Sequence, residues 1–168
     1  MSEFRYKCTV CGTEHVGLPA FGAPAPELYN IIPEEEREER CVLGTDNCIV
    51  YNEHFFIRAL LEIPIVGTDQ RFVWIVWVSQ SRENYERFVA TFQDSKRSHL
   101  SPTFGWFSSK LPGYPETLHL KTMAHFQDNL ERPQIELEET DHPLSIDQRN
   151  GLSLQRLSEL VHICMNGH

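Results

Sequence analysis

Two apolar runs, His54 to Val66 and Arg71 to Ser79, are rich in Phe, Ile, Val and Trp and are separated by Gly67, Thr68, Asp69 and Gln70. β-Branched and aromatic side chains suit a pleated, buried surface, and the intervening residues suit a turn, so this stretch predicts a β-hairpin with both strands largely buried. The flanking segments supply its cover. Ser81 can cap a helix in which Tyr85, Phe88, Val89 and Phe92 fall at i, i+3, i+4 and i+7, an apolar stripe read as core. Ser153 can cap a second helix, whose Leu154, Leu157, Leu160, Val161 and Cys164 share one face and pack on the sheet. Between them, Gly105 to Lys110 is an expected strand, followed by a loop through Leu111, Pro112, Gly113, Tyr114 and Pro115. Leu118 and Leu120, and later Ile135 and Leu137, alternate with polar neighbours as half-exposed strands do. The chain has 168 residues, 40% apolar and 11% aromatic, enough to bury a substantial core as one domain. The expected fold class is α+β: a mainly antiparallel sheet with two or three packed helices in residues 51–168, preceded by a Cys-rich, zinc-knuckle-like module in residues 1–50.

That N-terminal module holds Cys8, Cys11, Cys41 and Cys48, four of the five cysteines, together with Pro19, Pro24, Pro26 and Pro33. It shows little apolar alternation, so something other than a large core must hold it. A short helix is expected from Pro33 at its first position, with Glu34, Glu35 and Glu36 at the positive end of the helix dipole. The chain carries no basic, apolar leader after Met1, Ser2 and Glu3, and no apolar run of the roughly 20 residues a membrane span requires. A cytoplasmic protein is therefore expected, where metal binding is a better use of clustered cysteines than disulfides. Cys8-Thr9-Val10-Cys11-Gly12 can converge two thiolates on one ion. Zn²⁺ takes such ligands tetrahedrally, sulfur at about 2.3 Å and imidazole nitrogen at about 2.0–2.1 Å. Cys48, just before an expected strand at Ile49 to Tyr51, ranks with Cys8 and Cys11, and His15 and Cys41 compete for the fourth position. A redox dithiol and unliganded buried thiols are the alternatives, the latter reading applying to Cys164 as well.

Lys and Arg number 15 against 24 Asp and Glu, a formal charge of −9. Residues 27–40 hold six acids and two bases, residues 131–147 six acids and one base, and the remainder is balanced. An anionic membrane or nucleic acid is thus an unfavourable partner, whereas a basic protein surface is a favourable one. Near the second acidic segment, Arg132, Pro133, Asp141, His142, Pro143 and Gln148 gather polar groups. They read either as a polar site with His142 as acid, base or ligand, or as a turn with a satisfied His and a capping Asp. Trp74, Trp77, Trp106 and Tyr114 are core residues or groove walls. No phosphate loop, nucleophile elbow, His-Glu-x-x-His helix or deaminase motif is present in the sequence.

Cys8, Cys11, Gly12, His15, Leu18 and Pro19, then Asp46 and Cys48, then Phe56-Ile57-Arg58 and Glu62-Ile63-Pro64 form a distinctive series. It continues through Trp74, Trp77, Val78, Ser79, Ser81, Gly105, Trp106, Leu111, Pro112, Tyr114 and Pro115 to Arg132, Pro133, Asp141-His142-Pro143-Leu144, Gln148 and Gly151. In these residues the chain, from about Phe4 to Leu157, resembles a bacterial family known as domain of unknown function 2199. The resemblance implies a small prokaryotic cytosolic protein, brings no catalytic assignment, and favours His15 over Cys41. The leading expectation is a non-catalytic, zinc-stabilised binding protein, an adaptor or an inhibitor of a toxin or enzyme, facing a basic partner. A zinc-dependent hydrolase using His142, Asp141 and Arg132, and a small-ligand-binding domain with aromatic walls, are the competing expectations.

Overall fold

The computed structural model describes residues 4–166; Met1, Ser2 and Glu3, on which the reading of the N-terminus rests, lie outside the described residues. Strands β1 (Arg5–Lys7) and β2 (Glu14–Val16) form a two-stranded antiparallel sheet. There follow β3 (Phe21–Gly22), α1 (Glu27–Ile31), α2 (Glu34–Arg40), β4 (Cys41–Leu43) and β5 (Asn47–Val50). The hairpin is β6 (His54–Pro64) and β7 (Arg71–Gln80), paired antiparallel from Phe55↔Gln80 to Pro64↔Arg71. Next come α3 (Arg82–Ala90), β8 (Thr103–Trp106), β9 (Lys121–His125), β10 (Gln134–Leu137), α4 (Pro143–Asn150) and α5 (Leu154–Met165). The protein is α+β, with five helices among the described residues and strand pairs that are mostly antiparallel. No helix among them is long and apolar enough to cross a membrane.

The hairpin organises everything else because each of its long strands takes two partners along its free edge. β6 pairs with β5 over its first half and with β10 at Leu60↔Gln134, while β7 pairs with β3 at Phe21↔Trp74 and meets Phe107 at Val78. With β8–β9 and β9–β10 antiparallel, the path from β7 through Phe107, β8, β9, β10 and β6 returns to β7. The sheet therefore curls into a circuit closed by the Val78–Phe107 bridge and the Leu60–Gln134 pair. The closure is tight at Gly105, where a Cβ would collide with the Ser79 carbonyl. Ala59, Leu61, Ile63, Trp74, Val76, Ala124 and Leu144 are buried in one large cluster, with Leu157 and Leu160 of α5 packed into it.

Several local expectations shift. Residues 21–50 join the large sheet or its flanking helices, so only the β1–β2 segment stands apart from that sheet as a Cys-rich unit. Ser81 and Ser153 cap α3 and α5 by accepting from Asn84 N and Arg156 N, each at 3.1 Å, but α3 ends at Ala90. Tyr85 and Phe88 are buried, whereas Val89 faces solvent and Phe92 lies beyond the helix. Pro33 stands at the cap of α2, not at its first helical position. Leu118 to Leu120 is a turn, with His119 at φ 69°, and the strand begins at Lys121. The segment after His142, read as a turn, is α4, with Pro143 in its first turn.

Candidate metal centre

The Cys-x-x-Cys turn connects β1 to β2, and its geometry follows from a few backbone bonds. Cys8 N donates to Thr13 O at 2.8 Å and Gly12 N to Cys8 O at 2.9 Å, with Gly12 at φ 72°, a conformation glycine adopts without steric cost. The β1–β2 register places His15 opposite Tyr6, with ring centroids 5.4 Å apart. As a result one ligand atom each from Cys8, Cys11 and His15 lies within 4.8 Å of the others. Cys11 Sγ is 3.5 Å from His15 Nε2, and Cys11 N donates to Cys8 Sγ at 3.5 Å. Two sulfurs and one imidazole nitrogen at this spacing are a donor set compatible with a tetrahedral metal ion.

The electrostatics suit a cation. Hydrogen bonds from the Thr13 side chain and backbone, then from His15 and Cys8, draw the exposed Cys11 thiol down to about 6, favouring the thiolate that binds metal. Cys8 is buried at the edge of the core, which fixes one ligand while Cys11 faces outward. Burial raises the Tyr6 phenol, and the neighbouring Cys8 and Cys11 sulfurs raise it further, so Tyr6 stays neutral beside the site. Thr13 was not singled out from the sequence; its position directly after Cys11-Gly12 in the turn is the signal that marks it.

Cys48 and Cys41 do not join this group. Cys48 sits in β5 between Leu43 and Phe56 and is buried in a second cluster with Ile32, Val50, Phe56 and Trp77. Burial, reinforced by Cys41, pushes its thiol up to about 12, which holds it protonated. Cys48 lies within β5, and the period-two alternation of the strand turns its sulfur into the core. Cys41 begins β4, half-buried against the same cluster. Cys164 packs on the main core and is likewise raised by burial.

The polar residues near the second acidic segment are dispersed. His142 caps α4: its Nδ1 accepts from Leu144 N at 3.0 Å, and its Nε2–H donates to Glu116 O at 2.9 Å. Both ring nitrogens are thereby committed. Asp141 is exposed, and Arg132 pairs instead with Asp46, Nε to Oδ1 at 2.7 Å. Gln148 binds the Leu137 and Ile135 backbone. Trp74 and Trp77 are buried, while Trp106 is exposed and stacks edge-on against Phe104 with centroids 5.0 Å apart. Tyr114 donates to Asp147 at 2.6 Å.

The family described as "Uncharacterized protein conserved in bacteria (DUF2199)" matches residues 7–152. No curated protein and no solved structure matches the chain.

Proposed function

The chain belongs to the DUF2199 family of bacterial proteins, and from that premise we propose that it is a non-catalytic binding protein of the cytosol, stabilised by Zn²⁺ on Cys8, Cys11 and His15, that recognises a basic protein partner. The observation that carries the metal assignment is the convergence of those three side chains within 4.8 Å in a turn that already draws Cys11 toward the thiolate. Two thiolates and an imidazole match the borderline-soft preference of zinc. A two-stranded sheet is marginal by itself, so an ion tying β1 to β2 supplies stability that burial provides only in part.

The partner's character is supported by α2. Glu34, Glu35, Glu38 and Glu39 are exposed, whereas Glu36 pairs with Arg40 at 3.1 Å. Beside them Ile31 is 66% and Val42 61% exposed, so an acidic surface is interleaved with apolar groups that would gain from burial. In the second acidic segment Glu136 contacts His125 and Asp147 accepts from Tyr114. Its charge is partly spent internally, and α2 is the stronger candidate surface. The hydrolase reading keeps one supporting observation: three converging ligands would leave one position of a bound zinc for water. It loses the grouping it rests on, because His142, its acid, base or ligand, is committed to a cap, Arg132 pairs with Asp46, and Asp141 is exposed.

Metal analysis of the purified chain tests the site. Wild type and Cys48→Ala are expected to retain one zinc per chain, and Cys8→Ser and His15→Ala to lose it; full retention by the latter two sinks the assignment. Replacing Glu34, Glu35, Glu38 and Glu39 with Gln is expected to abolish salt-sensitive capture of the partner from the native bacterium. Capture indifferent to both salt and the substitutions counts against the acidic surface.

A further inference from the structure

The outer face of the large sheet is covered unevenly. At β6 and β7 the outward-facing Phe56 and Trp77 are buried in one cluster with Ile32, and Leu28 and Tyr29 of α1 pack against it. At β8 and β9 the same period-two alternation turns Phe104, Trp106 and Met123 outward, opposite to the buried Thr103 and Ala124. These three stay 43%, 41% and 36% exposed. The register sets Phe104 beside Met123 and Trp106 beside Lys121, and the Phe104 and Trp106 rings meet edge to face with centroids 5.0 Å apart. They form one contiguous apolar patch on a hydrogen-bonded face, of the kind that gains from burial. The far side of β8 is already engaged: Trp106 N donates to Ser79 Oγ at 2.9 Å, and Gln80 Nε2 donates to Phe104 O at 3.2 Å. An added strand is therefore disfavoured, and what covers the patch must lie face to face on the sheet.

The charges around the patch select its cover. Exposed Lys121 and His125 of β9 stand beside exposed Glu136 and Glu138, with Glu138 N donating to Lys121 O at 2.9 Å. Farther out, Arg71 and Arg149 answer Glu62 and Glu139 in the lining of the groove that Phe104 and Met123 share, about 790 Å³ in volume. The face is thus nearly neutral, although the chain carries −9. A strongly basic or strongly acidic partner finds little net field here, in contrast to α2. His125 Nε2 and Glu136 Oε1 are 3.0 Å apart, whereas Lys121 and Glu138 have no ion-pair partner among the described residues. An apolar centre bordered by unpaired charges of both signs is complementary to itself, because a twofold axis lying in the face can bring each copy's cations toward the other's acids while the apolar centres meet. Copies of an acidic chain repel one another, and that repulsion is least across a nearly neutral face.

We propose that the outer face of β8–β10 is the interface of a twofold-symmetric homodimer, with Phe104, Trp106 and Met123 of each copy at its centre and Lys121 and Glu138 at its rim. It uses neither the metal ligands nor the acidic residues of α2, so it stands independently of the function proposed above.

Sedimentation equilibrium of the full chain from about 1 to about 100 µM tests it, and wild type is expected to reach twice the chain mass in that range. Met123→Lys sets like charges into the apolar centre from both copies and is expected to weaken dimerisation about a hundredfold or more. Trp106→Ser removes apolar area without adding charge; it is expected to weaken dimerisation about tenfold and carries the test should Met123→Lys fail to fold. At low salt an equimolar mixture of Lys121→Glu and Glu138→Lys chains is expected to pair more tightly than either variant alone, because the mixed pair sets opposite charges face to face. Association through another face would leave the mixture between the two. A monomeric wild type at about 100 µM leaves the face to a different protein or a small ligand and overturns the proposal. So does a dimer that either folded variant of the apolar centre leaves unweakened, or a mixture that pairs no more tightly than the tighter of its two components.

Discussion

Burial separates three of the thiols chemically. Cys48 and Cys164 are pushed toward the protonated form by desolvation, whereas Cys11, on the surface and hydrogen-bonded first by Thr13, is drawn toward thiolate. The same residue type thus has opposite chemistry within one chain, and the difference is set by which way each backbone turn or strand directs the side chain. Cys11 is also the one exposed cysteine. In metal-free protein iodoacetamide is therefore expected to alkylate Cys11 before the other four, and added zinc to slow that reaction; peptide mapping after brief labelling reads both. Preferential labelling of Cys48 would contradict its burial. The sequence motif Cys-x-x-Cys-Gly identified Cys8 and Cys11 because the ligand spacing is local. His15 was reachable through the β1–β2 turn, only four residues on. Cys48 could not be excluded locally, since its direction depends on a register with Phe56 and Leu43 that pairing across the sheet decides.

At the scale of elements, the hairpin and the two capped helices were legible because their signals are periodic and short in range. β6 and β7 begin at the expected residues, and Ser81 and Ser153 cap as a short polar side chain before an apolar stripe should. α4 was not legible. Its apolar content is low, and it is defined by His142 and Pro143 at its start together with Leu144 and Ser145 buried against the sheet. The Phe107 bridge to Val78, which closes the circuit, was also hidden, because it joins segments whose local patterns say nothing of each other. Gly105 is the residue through which that closure can be tested. With no room for a Cβ against Ser79 O, Gly105→Ala is expected to destabilise by about 1–3 kcal/mol, the cost of forcing atoms into a packed contact, as measured by urea unfolding. Unchanged stability would mean that β7 and β8 separate easily.

Across the whole molecule, the clasp between Asp128 and the Arg97–Ser98 backbone joins segments about 30 residues apart. The bonds from Ser98 N and Arg97 N, then from Ser98 Oγ, hold the Asp128 carboxyl below its usual range. A group whose pKa is depressed on folding adds stability above its unfolded pKa and loses it as pH falls through the folded value. Asp128→Asn is therefore expected to lower Tm at neutral pH, with the difference from wild type shrinking below the ordinary Asp range. A difference constant from neutral to strongly acidic pH would show that the clasp does not depend on the charge.

The −9 charge also resolves at this scale: exposed glutamates on α2 remain available, whereas part of the charge in 131–147 is engaged with His125 and Tyr114. By itself the sequence determined the α+β class, the buried hairpin, the helix caps and the Cys-x-x-Cys pair, because each rests on residues within a few positions of one another. Only the tertiary structure decided that Cys48 points into the core, that His142 and Arg132 are spent on separate partners, and that Arg97 is buried. Those outcomes depend on which distant segments exclude water from a side chain, and burial, not residue type, sets the charge state and the available partners of a polar group.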